Sequence, residues 1–209
     1  MDQLEKLHQN IAHCQRCHLC QTRVKAVLDH LPAKPVRLML LGEAPGGHEA
    51  TVSGEPFSGQ AGEILQAFLD KIALSREALY VTNLVKCRPT QTSKRPRYGK
   101  YANRKPKKDE IAICAPYVVK EIELIRPSLL VSLGKTPTEW IFQKSVVMAR
   151  VHGNLYYKET WDVFVYVMYH PASLLYNRSL QEAYEKDMAQ LKVLLQKEGI
   201  SRYENFCHI

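Results

Sequence analysis

The chain has 209 residues, 45% hydrophobic and 24% charged, which excludes wholesale disorder and fibrous repeats and provides enough length for a single domain with its own core. No run approaches eighteen apolar residues, so no membrane-spanning helix is expected, and the opening MDQLEKLHQN has acidic residues and no apolar stretch, so a cytoplasmic location is expected. The net charge of +8 is concentrated: Lys94, Arg95, Arg97, Lys100, Arg104, Lys105, Lys107 and Lys108 lie in one acid-free stretch, and without them basic and acidic residues balance at 21 each. Such a stretch is either the footprint of a polyanion partner, most often nucleic acid, or a solvated basic loop.

In chain order, a helix is expected near Asp2–His13, followed at once by Cys14-x-x-Cys17-x-x-Cys20; Cys87, Cys114 and Cys207 complete the six cysteines. In a reducing compartment such clustering reads as metal binding or catalysis rather than disulfides. A two-residue spacer lets two thiolates face one centre, and two more can arrive from distant loops. The spacing leaves zinc and an iron–sulfur cluster both open, with buried free thiols as the plain alternative. Cys20 is a rival ligand, because the first three cysteines match the opening of a ferredoxin-type run whose closing Cys-Pro is absent.

The aliphatic runs Val36–Leu41, Leu79–Val85, Leu129–Leu133 and Val163–Tyr169 predict strands. They alternate with helices expected near Gly62–Ala73, Asp109–Ile125, Thr136–Gln143 and Gln181–Lys197, which predicts a three-layer α/β/α sandwich around a four-stranded parallel sheet. The stretch 89–108, polar, basic and broken by Pro96, Gly99 and Pro106, reads as a long exposed insertion.

Three polar features sit near the end of a strand or directly after one and so converge on the carboxyl rim of the sheet, where open α/β sheets bind ligands. The first is Gly42-Glu43-Ala44-Pro45-Gly46-Gly47, neither a Walker loop nor a dinucleotide fingerprint; Glu43 is either a base or electrostatic stabiliser, or a carboxylate capping the turn. Asn83 is the second, offering a donor and an acceptor to a base edge, or a structural hydrogen bond. The third is His170, before Pro171 and Ala172, a donor to a developing oxyanion or a structural imidazole. Nearby, Phe57 in GEPFSGQAG is either a stacking platform or a core plug.

Together CQRC, GEAPG, GEPFSGQAG, VTNLVKCRP, LLVSLGKTP and HPASLL resemble, over nearly the full chain, the uracil-DNA glycosylase superfamily, most closely its family 4, the iron–sulfur-containing prokaryotic branch. The resemblance implies a 4Fe–4S cluster on Cys14, Cys17, Cys87 and Cys114, and a monofunctional enzyme that flips uracil out of single- or double-stranded DNA and leaves an abasic site. It implies that Phe57 stacks on uracil, that Asn83 reads its edge and that Glu43 and Ala44 lie beside the sugar and attacking water. His170 would then face uracil O2, with Leu174, Leu175 and Arg178 entering the duplex. DNA contacts from Lys94, Arg95, Arg97, Lys100, Arg104 and Lys105, a nucleoid association and a monomeric state are the accompanying expectations.

Three departures from the family pattern stand out. Glu49-Ala50 replaces the usual Glu-Asp and precedes a longer gap to GEPF, with Glu49 as the uracil-site residue that the resemblance implies there. Ser58 follows the phenylalanine where an aliphatic residue is usual, and the Cys87–Cys114 interval is long. A related uracil-crosslinking branch carries a trapping histidine in its insertion; none lies between Cys87 and Cys114 here, so turnover is expected rather than capture. The competing readings are a non-catalytic relative that recognises deaminated or single-stranded DNA, and a ferredoxin-like electron carrier.

Overall fold

The structure is a computed structural model that describes residues 2–94, 100–196 and 207–209. In chain order its main elements are α1 (Asp2–Ala12), α2 (Leu19–Thr22), β1 (Leu38–Gly42), α3 (Gln60–Lys71), β2 (Leu79–Asn83), β3 (Thr90–Thr92), β4 (Tyr101–Asn103), α4 (Lys108–Ile125), β5 (Leu129–Leu133), α5 (Lys135–Phe142), α6 (Met148–Val151), β6 (Leu155–Lys158), β7 (Val163–Met168), α7 (Ser173–Tyr176), α8 (Gln181–Gln196) and β8 (Cys207–His208). The four expected strands pair in parallel in the order β2-β1-β5-β7. The expected count of four is corrected to six among the described residues: β6 pairs antiparallel with β7, and β8 adds parallel to β6. Both extra strands are short, and β8 is exposed, so neither carries the apolar run that marks a buried parallel strand.

Alternation along each strand divides the side chains between two cores. Met39 and Leu41 of β1 join Tyr80, Leu130, Val165 and Val167 under α1, α4 and α5, whereas Leu38 and Leu40 join Val81, Leu129, Val131 and Tyr166 under α3 and α8. Helices on both faces therefore bury the central strands completely, as their unbroken hydrophobic runs require.

One polar network crosses the α4 side. Lys86 Nζ donates to Glu121 Oε2 at 2.6 Å and also to Thr82 Oγ1, and Tyr80 OH donates to Glu121 Oε1 at 3.0 Å. Both charges are fully buried, so losing one partner alone costs about 3–5 kcal/mol. On the open edge of β2, Asp29 Oδ2 accepts the Val81 N–H at 2.5 Å, satisfying a strand donor that has no neighbouring strand.

Candidate active site

The ends of β1 and β2 lie side by side, Gly42 opposite Asn83, and the following backbone stays joined: Leu84 N–H donates to Gly42 O at 2.9 Å and Val85 N–H to Glu43 O at 3.1 Å. Glu43 is half-buried, and one of its oxygens accepts a hydrogen bond from Thr136 Oγ1 on α5; its other oxygen has no partner among the described residues. Thr136 lies in LLVSLGKTP, a stretch whose resemblance to the family was legible although no role for this hydroxyl was. A β-carbon on Gly42 would lie 2.3 Å from Asn83 Oδ1 and 2.9 Å from the Phe57 ring. Only glycine lets the amide and the ring approach this closely.

Asn83 is 2% exposed, and its Nδ2 has no hydrogen-bond partner among the described residues. A buried amide donor left unpaired costs about 1–3 kcal/mol, so it marks either strain or a ligand position. Phe57 adopts a left-handed backbone at φ 57°. It is held there from two sides: Glu49 accepts the Phe57 N–H, and Gly62 leaves room for the Phe57 carbonyl, which a β-carbon would meet at 1.5 Å. The other Glu49 oxygen accepts the Gly46 N–H. Each carboxylate oxygen thus accepts one backbone N–H, and Glu49 joins the GEAPGG turn to the Phe57 loop. Burial raises its pKa, partly offset by these two N–H bonds.

His170 is half-buried beyond β7, and desolvation pushes its pKa down to about 4. The ring is therefore neutral at ordinary pH. Its Nδ1 accepts the Ala172 N–H at 3.1 Å, so the proton resides on Nε2 and that atom is a donor. Gly134 at the end of β5 packs against it: at φ 93°, a β-carbon there would meet His170 Cβ at 3.0 Å. The Phe57 and His170 rings stack with centroids 5.4 Å apart. Three strand ends thus bring Glu43, Asn83 and His170 to one rim, where the loop before α3 adds Phe57; Ala44 packs against the core beside them.

Beyond His170 the chain closes a braced turn, with Ser173 N–H donating to His170 O at 2.9 Å and Asn177 N–H to Ser173 O at 2.9 Å. Leu174 is half-buried and packs on the α3/α8 core. Leu175 and Tyr176 project instead, 45% and 88% exposed, with Arg178 exposed just after them. Tyr176 was missed because a tyrosine after two leucines has no periodicity to distinguish it.

The basic insertion is not a plain loop: β3 and β4 form an antiparallel hairpin with Thr90 opposite Asn103. Lys94, Lys100 and Lys105 are exposed on it, while Arg95 and Arg97 lie outside the described residues. Arg104, an expected DNA contact, is engaged within the protein. It donates from Nε to Thr90 O at 2.9 Å, from Nη1 to Glu110 Oε2 at 2.8 Å, and from Nη2 to the other Glu110 oxygen. Glu110 is fully buried, and His18 Nε2 lies 2.8 Å from it, so Arg104 locks the hairpin base to the cysteine segment.

Five free cysteines, Cys14, Cys17, Cys20, Cys87 and Cys114, line one small, apolar cavity between α1, α2, α4 and the segment after β2. Cys14, Cys17, Cys87 and Cys114 belong to or pack on the α1/α4 core. Arg23 donates to Cys87 Sγ at 3.4 Å and Lys86 N–H to Cys114 Sγ at 3.3 Å. Burial pushes the Cys114 thiol up to about 11 and raises Cys87, so a cationic centre is needed to hold either as thiolate. Among the described residues no three His, Cys, Asp or Glu side chains converge tightly enough for a single ion. Thiols ringing a cavity suit a multi-iron cluster, which takes one sulfur per iron. Cys207 sits exposed on the far edge strand.

The fold and rim define an α/β protein with an aromatic, an amide, an imidazole and a carboxylate gathered at the strand ends. The chain belongs to the uracil DNA glycosylase superfamily, whose family model matches residues 28–192. It is 35% identical over its full length to the Type-4 uracil-DNA glycosylase of Saccharolobus solfataricus, covering 93% of that protein. Over 93% of the chain it is 37% identical to the Type-4 uracil-DNA glycosylase of Sulfurisphaera tokodaii, and over 95% it is 35% identical to that of Archaeoglobus fulgidus, covering 86% and 96% of them.

Proposed function

We propose that this chain hydrolyses the N-glycosidic bond of uracil in DNA, leaving an abasic site, and that the unpaired amide of Asn83 is the observation that carries the assignment. A buried donor and acceptor beside a fixed aromatic ring match the edge and face of one pyrimidine, and a base reaches that position only after leaving the stack. Cleavage puts negative charge on the leaving uracil and positive character on the sugar. His170 Nε2–H is available to donate to the developing oxyanion without a net charge to neutralise first. The free oxygen of Glu43, oriented through Thr136, is available to the attacking water or the sugar.

Leu175 and Tyr176 would support the opened duplex, with Arg178, Lys94, Lys100 and Lys105 adding phosphate contacts. Cys14, Cys17, Cys87 and Cys114 would hold a 4Fe–4S cluster. When bound it supplies a covalent cross-link between the amino-terminal segment, the residues after β2 and α4.

Uracil-containing oligonucleotides incubated with purified protein and then treated with alkali test this reading. Strand breaks are expected, faster at G·U and single-stranded uracil than at A·U, because flipping costs least where pairing is weakest. Absence of breaks in every uracil context would sink it.

A further inference from the structure

The insertion reaches the rim through Arg88. This residue follows Cys87, and its side chain turns towards β4: Nε donates to Asn103 Oδ1 at 2.6 Å and Nη2 reaches Tyr101 O at 3.4 Å. The guanidinium lies over Gly47, where a β-carbon would come within 3.3 Å of Nη2 and 3.4 Å of Cζ. Asn103 also borders Gly46, whose N–H is held by Glu49. Hairpin, Arg88 and GEAPGG turn therefore pack as one unit, four residues from Glu43.

Two arginines hold this segment, and their electrostatic situations differ. Arg104 is neutralised by buried Glu110, whereas among the described residues Arg88 has neither a carboxylate partner nor a hydrogen bond from Nη1. Partial burial without a counter-charge lowers its pKa from the usual value, the direction expected of a desolvated cation. The contacts from Asn103 and Tyr101 fix the plane of the fork, so little side-chain entropy remains to be lost when an anion binds.

We propose that Arg88, oriented by Asn103, binds a backbone phosphodiester of the DNA strand carrying the flipped nucleotide, which makes the inserted hairpin the scaffold of a phosphate subsite on the catalytic turn. The proposal rests on the uracil-excision reading for the identity of the strand, but not for its test.

Binding of the full iron-loaded chain to a fluorescent duplex bearing a tetrahydrofuran abasic analogue, titrated over a potassium chloride series, needs no catalysis and so separates the two readings. Arg88→Ala is expected to shallow the slope of log affinity against log salt by about 0.9, one phosphate's worth of released counterion. Arg88→Lys and Asn103→Ala are expected to keep the slope and weaken binding about tenfold, since charge persists but the oriented fork does not. Melting temperature and inhibition by free uracil should stay unchanged in all three. An unchanged slope in Arg88→Ala overturns the proposal, as does an affinity loss matched by a lowered melting temperature in all three variants, which would make Arg88 a structural pin. If Arg88→Ala does not fold, unaltered affinity in the other two variants overturns it equally.

Discussion

The ring of Phe57 lies on the imidazole of His170, with planes 28° apart and centroids separated by 5.4 Å. Near-parallel rings at that separation are offset, leaving part of the Phe57 face for a second planar group. Phe57→Ala should therefore weaken uracil-DNA binding in single-turnover kinetics by roughly five- to a hundredfold, the worth of one base–aromatic stack. A variant that binds as tightly as the parent would show that the ring merely fills space beside Gly42.

The depressed His170 pKa has a definite sign. Its folded value of about 4 lies below the ordinary 6.5, so between these pH values the unfolded chain takes up a proton that the folded chain refuses. The stability contributed by the neutral ring is complete above pH 6.5 and is lost as pH falls towards 4. Denaturant melts across this window should show that slope in the parent and a smaller one in His170→Gln. Excision should continue without an inflection at pH 6.5, and His170→Ala should slow it about 10²–10³-fold through loss of the Nε2–H donor.

Asn83 contributes an unpaired donor to the folded protein, so its removal should cost function far more than stability. Asn83→Ala is expected to abolish uracil discrimination while melting within a few degrees of the parent. Asn83→Asp should shift recognition towards cytosine, because a carboxylate accepts where the amide donates. A competition assay with matched uracil and cytosine substrates decides this, and unchanged selectivity would remove Asn83 from base reading.

Of the five thiols on the cysteine cavity, Cys20 alone does not pack on the core. Cys20→Ala should therefore retain iron and the visible thiolate-to-iron absorbance, whereas Cys114→Ala should lose both and unfold at lower denaturant. Iron analysis and absorbance of the two variants test this; loss of iron from Cys20→Ala would reassign the ligand set, and stoichiometric zinc in the parent would replace the cluster.

The four parallel strands were legible because buried parallel strands must be apolar on both faces, and Val81, Leu130 and Val165 all sit in such runs. The rim was legible for a related reason: Asn83 ends a strand, Glu43 and His170 each follow one closely, and strand ends in a parallel sheet share one edge. The hairpin strands β3 and β4 escaped because their exposure removes the hydrophobic alternation that marks a strand, and β6 because its four residues are too short a run to stand out.

By itself, then, the sequence determined the sheet, the cysteine clustering and the residues of the rim, because strand burial, ligand spacing and proximity to strand ends are local properties of the chain. Only the tertiary structure decided what each polar group is committed to. Glu49 lies in the same departing loop whether it faces a base or two backbone N–H groups, and Arg104 and Arg88 are equally basic until Glu110 and Asn103 are placed beside them. Leu174 and Leu175 are the same residue type one position apart, and the turn after His170 sends one to the core and the other to solvent. Charge and hydrophobicity are written in the sequence, but a hydrogen bond belongs to a pair, and the path of the chain chooses the partner.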